Sequence, residues 1–403
     1  MMKSPSLTYL NYFNLFYIAL CIVWRPLQMY VLKVDGAGRT IILLSVMAFL
    51  LNWKRIRFVV RKSAAIKIWC VLTIYAIINS LIKGFVSEYG FFSFMNSNFL
   101  IPLIFLLIST LQIRDSYFLC VKIMLASLVI FLLFGALHIE SNDSERMLSE
   151  MGNMLPLTCV TCFFVSSLLW VEKKMKWWAF VSLAVFCFTI IIMAATRKAL
   201  GACAIILLGV FLAKNTKRNV GFYVKLGLFF IMAYVGIKYL MDNTLIGERI
   251  AGGKEKSEEI LVQNKQINNL LLTIVGDRAV QYVFGTQVFL KNPITGIGIC
   301  NYMDYTGSSY RLHTEYMVQL CENGIVGFVL LWIFYYFVWK NIKRFRQRSK
   351  SLSTLFSFGL LSILFINLTA WTYNAQFVML MYAIMIGVSN IRFYENSHCQ
   401  PFQ

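Results

Sequence analysis

Residues Gly276–Phe328 read GDRAVQYVFGTQVFLKNPITGIGICNYMDYTGSSYRLHTEYMVQLCENGIVGF. This polar stretch contains two arginines, Arg278 and Arg311, and a Pro–Gly turn at 292–298. It also contains His313, one of three histidines in the chain. Apolar segments of helical length lie on both sides of it. We interpret it as the active face of a membrane enzyme.

The composition is that of a membrane protein. Of 403 residues, 59% are hydrophobic and only 14% are charged, whereas about a quarter of the residues of a soluble protein are charged. The net charge of +20 could suggest a nucleic-acid partner. However, the basic residues lie in short loops between apolar segments, as the positive-inside rule expects. We therefore expect a polytopic membrane protein that binds membrane lipids and no nucleic acid.

Twelve apolar windows predict an all-α polytopic fold with about 12 transmembrane helices. The second and eighth windows are short for a bilayer core that needs about 20 residues. The first lacks a small-residue cleavage site, so we expect it to be a retained helix. The windows are 9–31, 39–52, 64–82, 91–111, 117–137, 154–171, 177–195, 198–213, 221–240, 315–339, 352–371 and 374–391.

Loop charge predicts the orientation. Five segments are rich in Lys and Arg and contain only two acidic residues, Asp115 and Glu172. Their excess of positive charge assigns them to the cytoplasm, together with both termini. These segments are 52–67, 112–122, 172–176, 213–225 and 340–350. The loops on the opposite side contain Glu88, Glu140, Asp143, Glu145 and Glu150.

The same orientation places one large loop outside. It divides the chain into helices 1–9 (residues 1–240), a periplasmic loop (241–314), and helices 10–12 with a cytoplasmic tail (315–403). The first half of the loop has the composition of a charged helix that turns apolar near 270–275. The second half, 277–290, is predicted to be an amphipathic helix on the outer surface.

The predicted amphipathic helix has Val280, Phe284 and Val288 at i, i+4 and i+8. This spacing puts the three side chains on one apolar face. Asn292-Pro293 is expected to end the helix, and Gly296 and Gly298 permit a tight turn after it.

Arg197 is a candidate functional residue because charges near membrane spans are costly and often functional. It lies between two apolar windows on the predicted outer side. Thr196 is the expected N-cap of the next helix, so backbone N–H groups beside Arg197 and Lys198 would form an anion site. The alternative is an interfacial anchor that reaches lipid headgroups.

The loop supplies the other candidates. Arg278 opens the amphipathic helix, where a solvated helix start is the alternative interpretation. Arg311 and His313 lie just before the tenth window. Histidine, with an ordinary pKa of about 6.5, suits a general base or a phosphate contact. Arg25, near the outer end of the first window, is a weaker candidate.

Glu322, Gly324 and Gly327 fall inside the tenth window. Glu322 is out of helical phase with His313, so we expect it to be a buried hydrogen-bonding residue. The glycines are expected to allow close helix packing.

Other chemistries are not indicated. The sequence lacks HExxH and P-loop motifs. Asp143-Ser144-Glu145 could hold a divalent cation, but a solvated loop is favoured, and Cys159 and Cys162 are interpreted as packing residues. We therefore expect no metal and no cofactor. The outward-facing arginines and histidine match the oxygens of a lipid-linked diphosphate.

Several motifs occur in a fixed order. They are Thr196-Arg197-Lys198-Ala199-Leu200, Asp277-Arg278, KNPITGIG at 291–298, HTEY at 313–316 and ENGIVG at 322–327. With them, residues 190–330 resemble the O-antigen ligase/O-antigen polymerase family of bacterial envelope glycosyltransferases. Arg146 and Gly152-Asn153 match a further arginine and "P-N" element, without its proline.

The resemblance implies a GT-C-like fold with metal-independent transfer from undecaprenyl diphosphate in the bacterial inner membrane. It implies that Arg197 and Arg278 hold the diphosphate, with Lys198 and Arg311 as further contacts. His313 would deprotonate the acceptor hydroxyl or assist the leaving phosphate on the periplasmic side. Arg146, Arg25, Glu322 and Glu315 complete the candidate set.

The acceptor stays open at this point. A polymerase would use another lipid-linked repeat unit, and a ligase would use lipid A core or another terminal acceptor. Polymerases are numerous and varied in surface-polysaccharide pathways, so we favour a polymerase. A polysaccharide flippase or transporter is the alternative from another class, and other polysaccharide-assembly proteins are possible partners.

Overall fold

The computed structural model describes residues 9–27, 38–84, 114–137, 140–141, 147–148, 154–194, 196–215, 220–243, 279–307, 312–370, 372 and 376–395. These residues are helical apart from turns and one short antiparallel pairing of β1 (Glu140–Ser141) with β2 (Met147–Leu148). The helices are α1 (Tyr9–Pro26), α2 (Gly38–Leu51), α3 (Trp53–Lys62), α4 (Ala64–Lys83), α5 (Arg114–Leu137), α6 (Met154–Val171), α7 (Trp177–Met193), α8 (Arg197–Lys214), α9 (Val220–Asn243), α10 (Ala279–Lys291), α11 (Tyr302–Thr306), α12 (Glu315–Phe345), α13 (Lys350–Asn367) and α14 (Gln376–Glu395).

The predicted all-α class is confirmed. Within the described ranges, five helices are long and apolar enough to cross a membrane: α4, residues 117–137 of α5, α6, α12 and α13. The window at 91–111 lies outside the described residues, and each other window contains a helix. The count of twelve spans, the position of 241–314 and the three-part division stay predictions.

The basic segment 52–67, expected as a loop, contains helix α3. Its buried residues are Ile56 and Val59, while Lys54 and Arg57 are exposed. Such a helix, apolar on one face and basic on the other, is typical of the membrane surface. Ser63 then caps α4 by accepting a hydrogen bond from the N–H of Ile66 at 3.4 Å.

Helix α6 lies at the centre of the bundle, where 89% of its span is buried. Its hydroxyl groups bond to backbone carbonyls one turn back, as in Thr158 Oγ1 to Met154 O at 2.8 Å. These bonds satisfy polar groups that have no water to contact. Cys159 and Cys162 are fully buried within this helix and form no disulfide. Their position agrees with the packing interpretation.

The helices α8 and α13 pack antiparallel, and so do α4 and α12. The start of one helix in each pair therefore lies beside the end of the other. In the pair α8–α13, Gly201 faces Phe365 and Gly209 faces Phe358, so the start of α8 lies beside the end of α13. A Cβ on Gly209 would lie 2.4 Å from Phe358 Cβ, so glycine is needed for this close approach. In the pair α4–α12, the rings of Trp69 and Phe334 lie in contact, tilted by 56° with their centroids 4.9 Å apart.

The basic segments meet at one end of the bundle, which we call the basic end. Lys214 Nζ donates to Trp170 O at 3.0 Å and lies 4.4 Å above the Trp170 ring. Lys174 lies over Phe118, and Lys343 lies over Trp339. Lysines beside aromatic rings are typical of a membrane boundary. The side of the membrane that this end faces stays a prediction.

Candidate functional site

The opposite end of the bundle contains the candidate site, and we call it the site end. Here α4 and α13 finish, and α8 and α12 begin. Tyr316 Oη donates to Leu364 O at 3.2 Å, which joins the start of α12 to the end of α13. The start of α8 packs on the same part of α13 through Gly201 and Phe365.

Helix α12 is split at Gly324, nine residues after it begins. Gly324 has φ 63° and ψ −166°, a conformation essentially restricted to glycine. A Cβ at this position would lie 2.2 Å from Ile294 O. The sequence pattern predicts that Gly324 allows close helix packing. The structure instead shows that it lets the chain break, because a turn from earlier in the sequence occupies the gap.

That inserted turn, residues 292–299, is bonded to both halves of α12. Ile297 N donates to Cys321 O at 2.9 Å, and Gly298 N donates to Glu322 O at 2.8 Å. In return, Ile325 N donates to Pro293 O at 2.9 Å, and Val326 N donates to Ile294 O at 3.4 Å. These four bonds satisfy backbone groups that the break leaves without helical partners.

Two glycines let the inserted turn approach α12 so closely. Gly296 has φ 70° and Gly298 has φ 90°. A Cβ on Gly296 would lie 2.5 Å from Cys321 O, which is backbone and cannot move aside. The tight turn predicted from these glycines is therefore present, and its partner is the split helix.

Helix α4 holds the inserted turn from the other side. Asn79 Nδ2 donates to Thr295 O at 2.7 Å and to Glu322 O at 3.1 Å, so one side chain joins the turn to the split helix. Ser80 Oγ accepts from Ile299 N at 3.0 Å. Tyr75 Oη donates to Asn323 O at 2.9 Å, next to the break. The turn is thus fixed between α4 and α12.

Helix α10 packs against the first half of α12. Cys321 Sγ donates to Gly285 O at 3.0 Å, and Val288 is buried. The predicted helix over 277–290 is therefore confirmed for its described part. Of the predicted apolar face, Val288 is buried and Phe284 is 48% exposed, and the glycine at 285 faces Met317 and Cys321 of α12. The side chain of Val280 is outside the description.

A row of buried polar side chains runs along the first half of α12. Asn323 Nδ2 donates to Gln319 Oε1, and Gln319 Nε2 donates to Glu315 Oε1, both at 3.0 Å. Glu315 is fully buried, and its other oxygen accepts from Thr372 N at 2.7 Å. The row continues from Thr372 Oγ1 to Asn367 Oδ1 and from Asn367 Nδ2 to Tyr335 Oη.

His313 lies just before this row, on the extended link that enters α12. Its neighbours Leu312 and Thr314 are buried, and His313 is exposed. Its backbone N–H donates to Gln281 Oε1 of α10 at 3.0 Å. The imidazole is thus presented outward from a backbone that α10 holds.

Arg197 is exposed and is the first residue of α8. Thr196 takes the predicted N-cap position, but its Oγ1 donates to Ala194 O at 3.0 Å and makes no capping bond to the helix. Negative charge is favoured at such a helix start. Lys198 is half-buried in the next position. The anion site at this helix start stays a prediction.

The structure places some predicted residues at the same end of the bundle and does not describe others. Arg197 and His313 are exposed at the site end, and Glu315 and Glu322 are buried there. Arg278, Arg311 and Arg146 lie outside the described residues. Arg25 is within the bounds of α1, but its side chain is outside the description.

Sequence reasoning missed several residues of this end. Asn79 and Ser80 are polar residues inside an apolar window, and Gln281 is half-buried on α10. A signal existed for Gln319 and Asn323, which follow Glu315 at i+4 and i+8 and so share one helix face.

Among the described residues, no group of three or more His, Cys, Asp or Glu side chains could hold a metal ion. Comparison with protein-family models and with curated proteins found no match for this chain.

Proposed function

We propose that this chain is a membrane glycosyltransferase that uses a polyprenyl-diphosphate-linked donor. Our proposal is a polymerase, which transfers an undecaprenyl-diphosphate-linked glycan to a sugar hydroxyl of another lipid-linked repeat unit on the periplasmic face. The observation that carries it is the exposure of Arg197 and His313 at the same end of the bundle, at the starts of α8 and α12. By the sequence resemblance, Arg197 would hold the diphosphate, and His313 would act on the acceptor hydroxyl or the leaving phosphate.

The proposed chemistry is a displacement at the anomeric carbon of the donor. The acceptor hydroxyl oxygen forms a bond to that carbon, and the bond to the diphosphate oxygen breaks. His313 takes the hydroxyl proton; in the alternative, His313 stabilises the leaving phosphate and the hydroxyl proton passes to the diphosphate oxygen. Arg197, with Arg278 from the loop, binds the negative charge that develops on the diphosphate, and such preorganised donors contribute about 3 kcal/mol each.

The ligase alternative differs only in its acceptor, which would be lipid A core or another terminal acceptor. Deletion of the gene followed by gel analysis of the surface glycan separates the two. A glycan of a single repeat unit indicates a polymerase, and long chains left on undecaprenyl diphosphate indicate a ligase. A normal ladder would overturn the enzyme proposal.

One observation favours a transporter as a second candidate. Transporters often contain discontinuous helices around a midplane site, and α12 is discontinuous at Gly324. However, Gly324 precedes Lys340 at the basic end by a helical length of about 24 Å at 1.5 Å per residue. The midplane of the hydrocarbon core would lie only about 15 Å from the membrane boundary at Lys340. The break is therefore nearer to the site end than to the middle of the span.

Point variants decide between transferase and transporter. We expect Arg197→Ala and His313→Ala to reduce chain extension to a small residual rate while the lipid-linked repeat unit accumulates on the outer face. Arg344→Ala changes an exposed arginine at the basic end and should leave the ladder intact. Accumulation of the repeat unit on the inner face would instead support a transporter.

A further inference from the structure

The backbone of His313 is held in place from both sides. Thr314 has an extended backbone, with φ −106° and ψ 128°. Successive side chains of an extended segment point in opposite directions, so burial of Leu312 and Thr314 turns His313 outward. This sets the direction of the imidazole. It does not set the distance between the link and α10.

Gln281 spans that distance. Its Oε1 accepts the N–H of His313 at 3.0 Å. Gln281 lies in the first turn of α10, three positions after Arg278 in the sequence. It is therefore the side chain that joins the helix following Arg278 to the backbone of His313.

Helix α10 is a firm support for this contact. Tyr282, the next residue, donates through Oη to Leu368 O at 2.9 Å. One turn later, Gly285 O accepts from Cys321 Sγ, and a Cβ on Gly285 would lie 2.8 Å from Met317 Cε. Because α10 is fixed to α12 and to the end of α13, a bond from Gln281 transmits that fixed position to His313.

We propose that Gln281 is a positioning residue that holds His313 at its working distance from the start of α10. The inference rests on the proposed transferase function. Gln281 acts through the His313 backbone and does not touch the reacting atoms. A displacement of about 1 Å at a reacting group can lower the rate about a hundredfold, so loss of this one acceptor should be measurable in turnover.

The test uses the full chain in detergent or vesicles with a lipid-linked repeat unit as the donor. Gln281→Leu and Gln281→Ala remove the acceptor, whereas Gln281→Glu keeps an oxygen in the same place. We expect Q281L and Q281A to lower kcat about tenfold or more, with a smaller change in the KM for the donor. Q281E should recover most of the lost kcat, which a purely structural role would not predict.

Two controls complete the experiment. Gln287→Leu makes the same change at an exposed position on the same helix and should behave as wild type. The double variant Q281L/H313A should be no slower than H313A alone, because a positioning residue contributes nothing once the group that it positions is gone. The thermal midpoint of every variant shows whether it is folded. If Q281L is unstable, the kcat of Q281A tests the inference in its place.

The outcomes separate the two proposals. If H313A loses activity while Q281L and Q281A retain the wild-type kcat, the role of Gln281 is wrong and the transferase proposal stands. If Q281L lowers the residual kcat of H313A by the same factor as it lowers that of wild type, Gln281 does not act through His313, and the inference is again wrong. If H313A retains full activity, the proposed function itself fails.

Discussion

The carboxylate of Glu315 accepts the backbone N–H of Thr372 at 2.7 Å and so fastens the first turn of α12 to the chain beyond α13. The opposite bond, from Glu315 N to Ala370 O at 3.2 Å, joins the same two segments. Glu315 is fully buried, and its second oxygen accepts from Gln319. The residue that follows His313 and Thr314 is therefore a fixed point of the fold.

Replacement of Glu315 by alanine should destabilise the protein strongly. The substitution leaves two buried donors, Thr372 N and Gln319 Nε2, without their acceptor, and each such group costs about 1–3 kcal/mol. We expect the free energy of unfolding to fall by about 2 kcal/mol or more, measured by denaturation in detergent. Asp304→Ala removes an exposed carboxylate at the same end and should change stability by less than about 0.5 kcal/mol. Equal stability of the two variants would contradict this account of Glu315.

Gly324→Ala should disrupt the split in α12. The backbone at Gly324 has φ 63° and ψ −166°, and an added Cβ would meet Ile294 O at 2.2 Å. Strain in this region costs about 1–3 kcal/mol, and the steric clash adds a comparable amount. We expect a loss of about 3 kcal/mol or more in the free energy of unfolding.

The control for Gly324 is Gly227→Ala in α9. An added Cβ there meets no heavy atom within 4 Å. Alanine is favoured over glycine in a helix interior by about 1 kcal/mol, so this variant should be at least as stable as wild type. If Gly324→Ala matched it, the inserted turn would not depend on the glycine.

The sequence predicted the inserted turn and helix α12, but not that the turn enters a break in the helix. The glycines at 296 and 298 predicted a tight turn, and the apolar run after Glu315 predicted a helix. The break at Gly324 has no local signal, since one glycine costs a helix only about 1 kcal/mol. The break exists because the turn some 30 residues earlier supplies bonding partners, and a local pattern contains no information about such a partner.

Asn79→Ala should loosen the inserted turn without unfolding the bundle. The substitution removes the donor to Thr295 O and one of the two donors to Glu322 O. We expect a loss of about 1–3 kcal/mol in the free energy of unfolding. We also expect faster hydrogen exchange at the amides of Ile297 and Gly298, which bond to α12.

Asn215→Ala is the matched control for Asn79. Asn215 lies at the basic end of α8, far from the inserted turn, and its Nδ2 donates to Phe211 O at 2.8 Å. Its loss should leave exchange at Ile297 and Gly298 unchanged, and exchange at amides in α6 should be unchanged in either variant. Unaltered exchange in Asn79→Ala would show that Asn79 does not hold the turn.

Asn79 also marks where sequence reasoning about the site ends. The exposed candidates Arg197 and His313 were found because charged and titratable residues are rare beside apolar windows. Asn79 is uncharged, and its partners Thr295 and Glu322 are more than 200 positions away in the sequence. By contrast, Gln319 and Asn323 could have been found from their four-residue spacing after Glu315, which places three polar side chains on one face of an apolar helix.

At the basic end, Glu172 should make stability depend on pH. Burial raises the pKa of its carboxyl above the ordinary value of 4.5, and Lys174 and Lys214 oppose that shift without cancelling it. Burial also lowers the pKa of Lys214, helped by Lys173 and opposed by Glu172. Both groups are thus shifted toward their neutral forms, so loss of hydration outweighs their mutual attraction.

The sign of the effect follows from proton binding. A carboxyl whose pKa is raised in the folded state binds more protons there than in the unfolded state, so stability falls as pH rises from 4.5 through the raised pKa. The uncharged amide that Glu172→Gln introduces has no such dependence. We therefore expect the thermal midpoint of the variant, minus that of wild type, to increase between about pH 4 and pH 8. Lys176→Gln, which replaces an exposed neighbour, should show a constant difference. A difference for Glu172→Gln that is constant or decreases with pH would mean that the carboxylate gains more from the two lysines than it loses by burial.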